Sequence, residues 1–526
     1  MTPPPISSRK ELFLSVLFML LLFLLSGSMA IYVLSDPSLA QANKLAAVAL
    51  QVDRLYSGEL DWEKMFQSGR NAMFDKLDRY SGYLSKDYLA RLREELSGGY
   101  GGIGVSVLEH DDGLLVTSVR ASSPAYAAGF LAGDIIVRAD SFALAGMSIN
   151  DASRLLRGES GTSIDVELYR PTDADTILAT LERARVTLLH VPFAGVTEDS
   201  VVYIRLLDFQ SGASGDVEAA LDSLVSGQNG LQGLILDLRG NPGGLFREGH
   251  DLASLFLESG QFIVGKDGNS RWQESEHYAS GTDLAESLPM AVLVDGGTAS
   301  SAEIVAGALR QAGRAILIGD TTFGKGLVQS FTRFPDGSGL RLTSSRYYLD
   351  SGLFINPPES SAVQTGQGLV PDLYLDYVGQ HEFPRALERS LLLTQFAYLH
   401  QDEIIAIPIS FALGTEWIDR FETFATENSL NFVSTCSEAA SDLVQTANLE
   451  EQNSGTIAQA ERIEKLSREL DRQQFKRYRQ YIGMRLRQLS YERKYSEFVA
   501  FRDVLIHESE DIQMASRLLK EKVRDE

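Results

Sequence analysis

Short, almost unbroken apolar runs recur through the middle of the chain at residues 201–206, 233–238, 290–294 and 315–318, each long enough for one buried strand. Apolar positions at helical spacing intervene at 217–224, 250–257 and 302–309, so strand and helix alternate and the segment is predicted to be α/β. Residues 339–343 and 347–349 read as strands completing that sheet. Ahead of it, a run of strands with period-two alternation opens at 100–105 and continues through 114–116 to 135–137. The spacing from 41 to 96 is helical. Beyond Glu382 glycine becomes rare, and Ile463, Leu466, Leu470, Phe475, Tyr478, Ile482, Leu486 and Leu489 suit one long amphipathic helix. That helix is basic from Lys476 to Arg487. Core packing, docking or an oligomer surface is its expected use, ahead of nucleic-acid or membrane-surface binding, because acidic residues resume at Glu508, Glu510 and Asp511.

A longer run changes the picture at the start. Residues 12–34 are almost uncharged, enough as a helix to cross a hydrocarbon core of about 30 Å. Arg9 and Lys10 precede the run and Asp36 follows it, so the positive flank is expected in the cytosol and everything downstream outside it. Two readings stand. One is an uncleaved anchor over residues 1–36 in a bacterial inner membrane, with the catalytic part in the periplasm. The other is a cleaved signal, with Ser28-Met29-Ala30 as its small-x-small site and a soluble periplasmic product. Continuation through Ile31-Tyr32-Val33-Leu34 favours the anchor.

Composition narrows the class. With 526 residues and 44% hydrophobic content the chain has room for about three packed domains, which excludes a disordered or fibrous protein. A net charge of -23 argues against a nucleic-acid partner. The solitary Cys436 cannot form an internal disulfide. No HExxH pattern and no zinc or phosphate-loop spacing stands out, so no metal or other cofactor is expected.

The residues that carry chemistry sit where strands end. The strand at 290–294 breaks at Asp295-Gly296-Gly297, a small-residue helix begins near Ala302, and Ser300 falls between them. A serine there lies beside unpaired backbone N–H groups and the positive end of the helix dipole, so charge developing on an attacked carbonyl oxygen meets donors. The next strand leads into Thr321-Thr322-Phe323-Gly324-Lys325-Gly326, whose lysine is flanked by glycines that let backbone pack closely around it. A desolvated lysine of this kind loses its proton near neutral pH and can activate a hydroxyl. Each alone has a commoner explanation, since a serine before a helix is usually an N-cap and a lysine usually a solvated surface group. Ser301 is a rival nucleophile, and His250 and His277 leave a Ser-His-Asp arrangement open.

The blocks TASSAEIVAGAL from Thr298 and GDTTFGKGLVQ from Gly319 resemble the two signature segments of the C-terminal processing peptidases, or tail-specific proteases, which use a serine–lysine dyad. The resemblance covers residues 41–377 in ordered blocks: LDRYSGYLS from Leu77, PDZ-like segments from Tyr100 to Thr162, DLRGNPGG from Asp237, and TGQGLVPD from Thr365. It implies Ser300 as nucleophile, Lys325 as general base and Gln329 as the residue that positions the lysine. It also implies an oxyanion hole built from a backbone N–H of the Gly243-Gly244 pair with that of Ser301. Two positions depart from the family pattern: Ser301-Ala302 reverses the usual order after the nucleophile, and Arg79 stands where proline is usual. The Leu77 block reads as packing and is assigned no chemistry. In the PDZ segment, Gly102, Ile103, Gly104 and Val105 are expected to receive a chain-terminal carboxylate on backbone N–H groups while a strand edge pairs with the peptide, with Leu155 beside Ile103 and Val105 in the pocket.

The expected organisation is an anchor (1–36), an N-terminal helical region (37–97), a PDZ domain (98–184), a protease core (185–380) and a C-terminal helical region (381–526). The resemblance implies a crotonase-like α/β core of mixed sheet and helices with the PDZ domain inserted. It implies a serine endopeptidase taking protein or peptide substrates with apolar C-termini. The alternative is a catalytically inactive PDZ adaptor presenting exported proteins to a partner.

Overall fold

The computed structural model describes residues 18, 19 and 37–525, apart from 97–98, 121, 172–173, 188, 227–229, 269–273, 351, 357–367, 451–453 and 496. The run predicted to cross a membrane therefore lies outside the described residues except for Phe18 and Met19, as do Thr365, Gly366 and Gln367. Among the described residues no helix is long and apolar enough to span a bilayer.

The chain divides into two units, 1–79 and 80–526. The first holds α1 (Pro37–Leu55) and α2 (Trp62–Phe74). Asp61 caps α2 by accepting from Lys64 N at 3.0 Å, and Trp62 Nε1 donates to Asp53 at 3.1 Å.

The second unit opens with β1 (Gly82–Leu84), inside the Leu77 block, and α3 (Lys86–Leu96). From β2 (Gly99–Gly102) the chain runs through β3 (Val105–His110), β4 (Gly113–Val119), β5 (Ile135–Ala139), β6 (Phe142–Ala143), α4 (Ile149–Leu156), β7 (Ser163–Arg170) and β8 (Asp175–Glu182) to β9 (Ala184–Thr187). β3-β4-β5-β7-β8 form an antiparallel sheet. α4 buries Ala152 and Leu156 against Ile103, Leu114, Ile136 and Leu168. Because β2 pairs with β9, the strand that enters this domain is bonded to the one that leaves it, as suits an insertion.

The core follows: β10 (Phe193–Val196), β11 (Val201–Arg205), α5 (Ala213–Val225), β12 (Gly233–Asp237), α6 (Phe246–Ser254), β13 (Phe262–Gly268), β14 (Ser275–Tyr278), β15 (Met290–Val294), α7 (Ser301–Gln311), β16 (Ala315–Gly319), β17 (Leu327–Arg333), β18 (Gly339–Tyr348) and β19 (Leu373–Tyr374). The apolar runs are strands as expected, and they pair in the order β10-β11-β12-β15-β16-β19, parallel throughout except at β10. The two strands expected at 339–343 and 347–349 are one strand, β18, which joins β1, β13, β14 and β17 in a second, antiparallel sheet.

Parallel strands bury both faces, so they need cover on each. α5, α6 and α7 cover one, packing Val217, Leu252, Ile304 and Val305 against Leu234, Leu236 and Val292. The other face carries Tyr203, Ile235, Ala291, Leu293 and Ile318, and it is covered from far along the chain by Ile512, Ala515 and Leu519 together with Phe501.

Those residues belong to the C-terminal region, whose helices are α8 (Glu382–Ser390), α9 (Leu392–Leu399), α10 (Gln401–Ile405), α11 (Thr415–Glu427), α12 (Thr435–Leu449), α13 (Ser454–Arg472), α14 (Arg479–Lys494) and α15 (Glu510–Asp525), with single turns between some of them. Phe383, Leu387, Phe396, Phe421, Ile482 and Leu486 form their own core, and Ala132 of the inserted β-domain packs against it. The long amphipathic helix is interrupted at Gln473 and Tyr478. Its two halves differ: Ile482 and Leu486 are buried, whereas Ile463, Leu466 and Leu470 are exposed. The basic stretch is structural in part, since Arg485 pairs with Glu388 at 2.7 Å and the fully buried Arg487 pairs with Glu508.

Candidate active site

Two turns leave adjacent parallel strands at their carboxyl ends, where open α/β sheets place their ligand sites. After β15, Asp295 Oδ1 accepts from Gly297 N at 2.9 Å, and it also accepts from Gly240 N at 2.8 Å in the turn after β12. Thr298 Oγ1 donates to Leu238 O at 2.9 Å, and Ala299 N donates to Asn241 O at 2.9 Å. The DLRGNPGG turn and the TASS turn are thus stitched together, and Ser300 emerges from the seam. Its backbone has φ 57° and ψ -118°, a strained conformation for a side-chain-bearing residue and the kind that a sharp strand-to-helix turn imposes on a nucleophile. Ser300 is partly exposed. Ser301, its rival, is 2% exposed and donates its hydroxyl to Gly244 O at 3.2 Å.

Gly243 (φ 88°) approaches so closely that a Cβ would lie 2.6 Å from Ala299 O and 2.7 Å from Ser300 Cβ. Its own N–H donates to Asn241 Oδ1 at 2.9 Å. Among the described residues Gly244 N–H and Ser301 N–H, the latter at the head of α7, have no hydrogen-bond partner. Of the glycine pair, the second therefore keeps its donor available. Asn241, which the sequence reading passed over, holds both sides of this arrangement.

One carboxylate joins the serine turn to the lysine loop. Glu303 is fully buried; its Oε2 accepts from Ser300 N at 2.9 Å and from Lys325 N at 2.8 Å, and its Oε1 accepts from Gly324 N at 2.7 Å and Thr322 Oγ1 at 2.6 Å. Burial raises the Glu303 carboxyl above the ordinary carboxylate range, and the four donors limit that rise. Lys325 is partly buried. Burial first, and then the positive charge of Arg341, push its amine below the usual lysine value, with Glu303 opposing them. Its Nζ lies 5.5 Å from the centroid of the Tyr80 ring. Gln329 on β17 donates from Nε2 to Thr343 Oγ1 at 2.7 Å, and its buried Oε1 has no hydrogen-bond partner among the described residues.

The block read as packing, and the strand it pairs with, also contribute to the site. Arg341 Nε donates to Tyr80 O at 2.7 Å and Thr343 N donates to Ser81 Oγ at 3.0 Å, so β1 and β18 build one wall of the lysine site. The histidines are occupied elsewhere. His250 lies 3.1 Å from Asp251 and 3.0 Å from Tyr278 O, and His277 lies 3.0 Å from Ser275 Oγ, so neither ring bonds to Ser300. Burial, Lys266 and His250 hold the His277 ring down at about 4.

Behind the glycine turn that follows β12 lies a charge cluster. Arg239 grips Asp237 at 2.7 Å and Asp511 at 2.8 Å, while Tyr203 donates its hydroxyl to Asp237 at 2.6 Å. Burial works to raise the Asp237 carboxyl, but Arg239, Arg205 and the Tyr203 hydroxyl outweigh it and hold it at about 2.

In the inserted β-domain a groove of about 250 Å³ runs between β3 and α4, with Ile103, Gly104 and Val105 on one side and Ile149, Ser153 and Leu156 on the other. Leu156 takes the place expected of Leu155, because residues 149, 153 and 156 share one face of α4. Gly102 pairs with Ala184. Gly104 has φ 83°, and a Cβ there would fall 2.2 Å from Ser123 Cβ.

The sequence profile of peptidase family S41 matches residues 200–373, and that of PDZ domains matches 101–181. The chain is 33% identical over 316 residues to a chloroplastic C-terminal processing peptidase of Tetradesmus obliquus, covering 57% of this chain and 65% of that one. It is 32% identical over 318 residues to a carboxy-terminal-processing protease of Bartonella bacilliformis (60% and 70%), and equally to the carboxy-terminal processing protease CtpA of Bacillus subtilis (60% and 66%). The chain thus spans about two thirds of these relatives' own lengths. Among solved structures, a photosystem II D1 C-terminal processing protease is 30% identical, with a TM-score of 0.39, covering 62% of this chain and 86% of that one. The two profile matches, over the stretch that builds the serine turn, the lysine loop and the peptide groove, together with the Bartonella bacilliformis relative at 32% identity and 70% coverage, establish that the chain belongs to peptidase family S41, the serine-type C-terminal processing proteases.

Proposed function

We propose that the protein is an endopeptidase that captures the C-terminal tail of a protein substrate in the groove between β3 and α4 and cleaves nearby with Ser300 and Lys325. The observation that carries this reading is the single oxygen of Glu303 shared by the backbone amides of Ser300 and Lys325. The neutral Lys325 amine takes the proton of Ser300 Oγ as that oxygen bonds to the scissile carbonyl carbon. The carbonyl electron pair moves onto its oxygen, which Gly244 N–H and Ser301 N–H hold. Collapse breaks the C–N bond, and the leaving amine takes the proton from Lys325. Water then gives a proton to Lys325 and attacks the acyl ester, releasing the new C-terminus as Ser300 regains its hydrogen. Gln329, with its buried Oε1 unpartnered, is the acceptor we assign to the lysine ammonium. The uncharged run at 12–34 supports an exported protein anchored in a bacterial inner membrane.

The test compares wild type, Ser300→Ala, Ser301→Ala and Lys325→Ala on an unfolded protein ending in an apolar residue, measuring turnover and tail binding. Loss of turnover in Ser300→Ala and Lys325→Ala, with binding retained, is expected. Binding without turnover in wild type as well would favour the adaptor. Loss confined to Ser301→Ala would move the nucleophile.

A further inference from the structure

The oxyanion turn is held from behind by a residue of the C-terminal region. Arg239 begins that turn, but its side chain faces the rear of the sheet, where Nη1 donates to Asp511 Oδ2 at 2.8 Å and Nε and Nη2 donate to Asp237. Arg205 stands opposite the same Asp237 in the register of β11 and β12, and its charge acts on that carboxylate, so two cations bear on this buried space with two carboxylates. Asp511 supplies the second negative charge from 272 residues away in sequence. It is fixed in the first turn of α15, which is seated on the sheet by Ile512, Ala515 and Leu519.

We infer that Asp511 is a positioning residue for the oxyanion turn, acting through Arg239, so that α15 is part of the catalytic unit. The inference rests on the serine–lysine reading for its consequence in turnover. Without Asp511, two cations face one carboxylate in a space with little water, and Arg239 must shift to relieve them. Little slack exists to absorb the shift. Arg239 N is bonded to Asp237 Oδ1 at 3.0 Å, and Gly240 N is bonded to Asp295. Asn241, next along, holds Gly243 N on its side chain and Ala299 N on its carbonyl. A displacement at Arg239 is therefore delivered to Gly244 N–H and to the backbone leading into Ser300.

The experiment uses the full chain with Asp511→Asn, Asp511→Glu and Asp511→Ala. Asp511→Asn keeps the shape and removes the charge. It is expected to lower kcat by about 100-fold with KM within about twofold, since sub-ångström misplacement of donors acts on the transition state. Binding of an apolar-ended peptide to the PDZ groove is expected to stay at the wild-type level, and Asp511→Glu is expected to restore most of kcat. Hydrogen exchange over residues 239–244 is expected to quicken in Asp511→Asn and to return in Asp511→Glu. Exchange reads the turn without turnover, so an inert wild type would defeat the serine–lysine reading while exchange still decides this one. Wild-type kcat and exchange in Asp511→Asn, a loss confined to KM, or Asp511→Glu no better than Asp511→Asn would overturn the inference.

Discussion

Replacing Glu303 by glutamine separates the two duties of this carboxylate. A carboxamide offers one oxygen and one NH2 where four donors now meet two oxygens. If the oxygen keeps the place of Oε2, Ser300 N and Lys325 N retain their acceptor and the NH2 faces Thr322 Oγ1 and Gly324 N. The threonine hydroxyl can turn to accept, but Gly324 N–H cannot, so one buried donor is orphaned at a cost of about 1–3 kcal/mol. The reverse orientation orphans both Ser300 N and Lys325 N and costs about twice that, so the first prevails. The charge has a separate effect. Glu303 is the group that raises the Lys325 amine against burial and Arg341; once it is neutral, only groups that lower the amine remain. The base then becomes uncharged at lower pH, and the acid limb of kcat/KM moves to lower pH even as stability falls. Urea unfolding followed by circular dichroism reads the first effect, and kcat/KM against pH on an unfolded apolar-ended substrate reads the second. An acid limb that stays in place or moves to higher pH, in a variant destabilised as expected, would refute Lys325 as the titrating base.

Arg341→Gln removes the cation that lowers Lys325, so the acid limb of the same profile is expected to move the other way, to higher pH; a shift to lower pH would contradict the assignment. Gly243→Ala adds a Cβ within 2.7 Å of Ser300 Cβ at φ 88°, and is expected to cost about 1–3 kcal/mol in backbone strain alone, read by urea unfolding. The same change is expected to lower kcat by about 10²- to 10³-fold as the neighbouring oxyanion donor is displaced.

The sheet and the heart of the candidate site were legible because they are local. β15, α7, β16 and the lysine loop are consecutive, so a strand that ends in glycine and a helix that begins in small residues place Ser300 and the lysine loop side by side without knowledge of the rest. Glu303 stood in the block TASSAEIVAGAL, yet nothing in spacing says that a carboxylate on the buried face of a helix collects four donors. Tyr80, Ser81 and Arg341 were out of reach for another reason. Their meeting depends on β1 pairing with β18 across some 260 residues, a register that neither segment encodes alone. The C-terminal region was read correctly as helical and wrongly as continuous, because apolar spacing carries through the break at Gln473–Tyr478 without revealing it. Its basic residues left core packing and a docking surface both open because the partners of Arg485 and Arg487, Glu388 and Glu508, lie 97 and 21 positions away.

The seating of α15 beneath the protease sheet bears on how the molecule is made. Ribosomes deliver a chain from its N-terminus, and domains generally fold as they emerge. Here the strands and both functional turns are synthesised well before the helix that shields their rear face, and Tyr203, Ile235, Leu293 and Ile318 have no lasting cover until Ile512, Ala515 and Leu519 arrive. A nascent chain stalled between these points carries Ser300 and Lys325 on an unfinished scaffold with Arg239 half-neutralised. A cutting centre built as proposed is thus withheld from the crowded surroundings of its own translation until the late helix has docked.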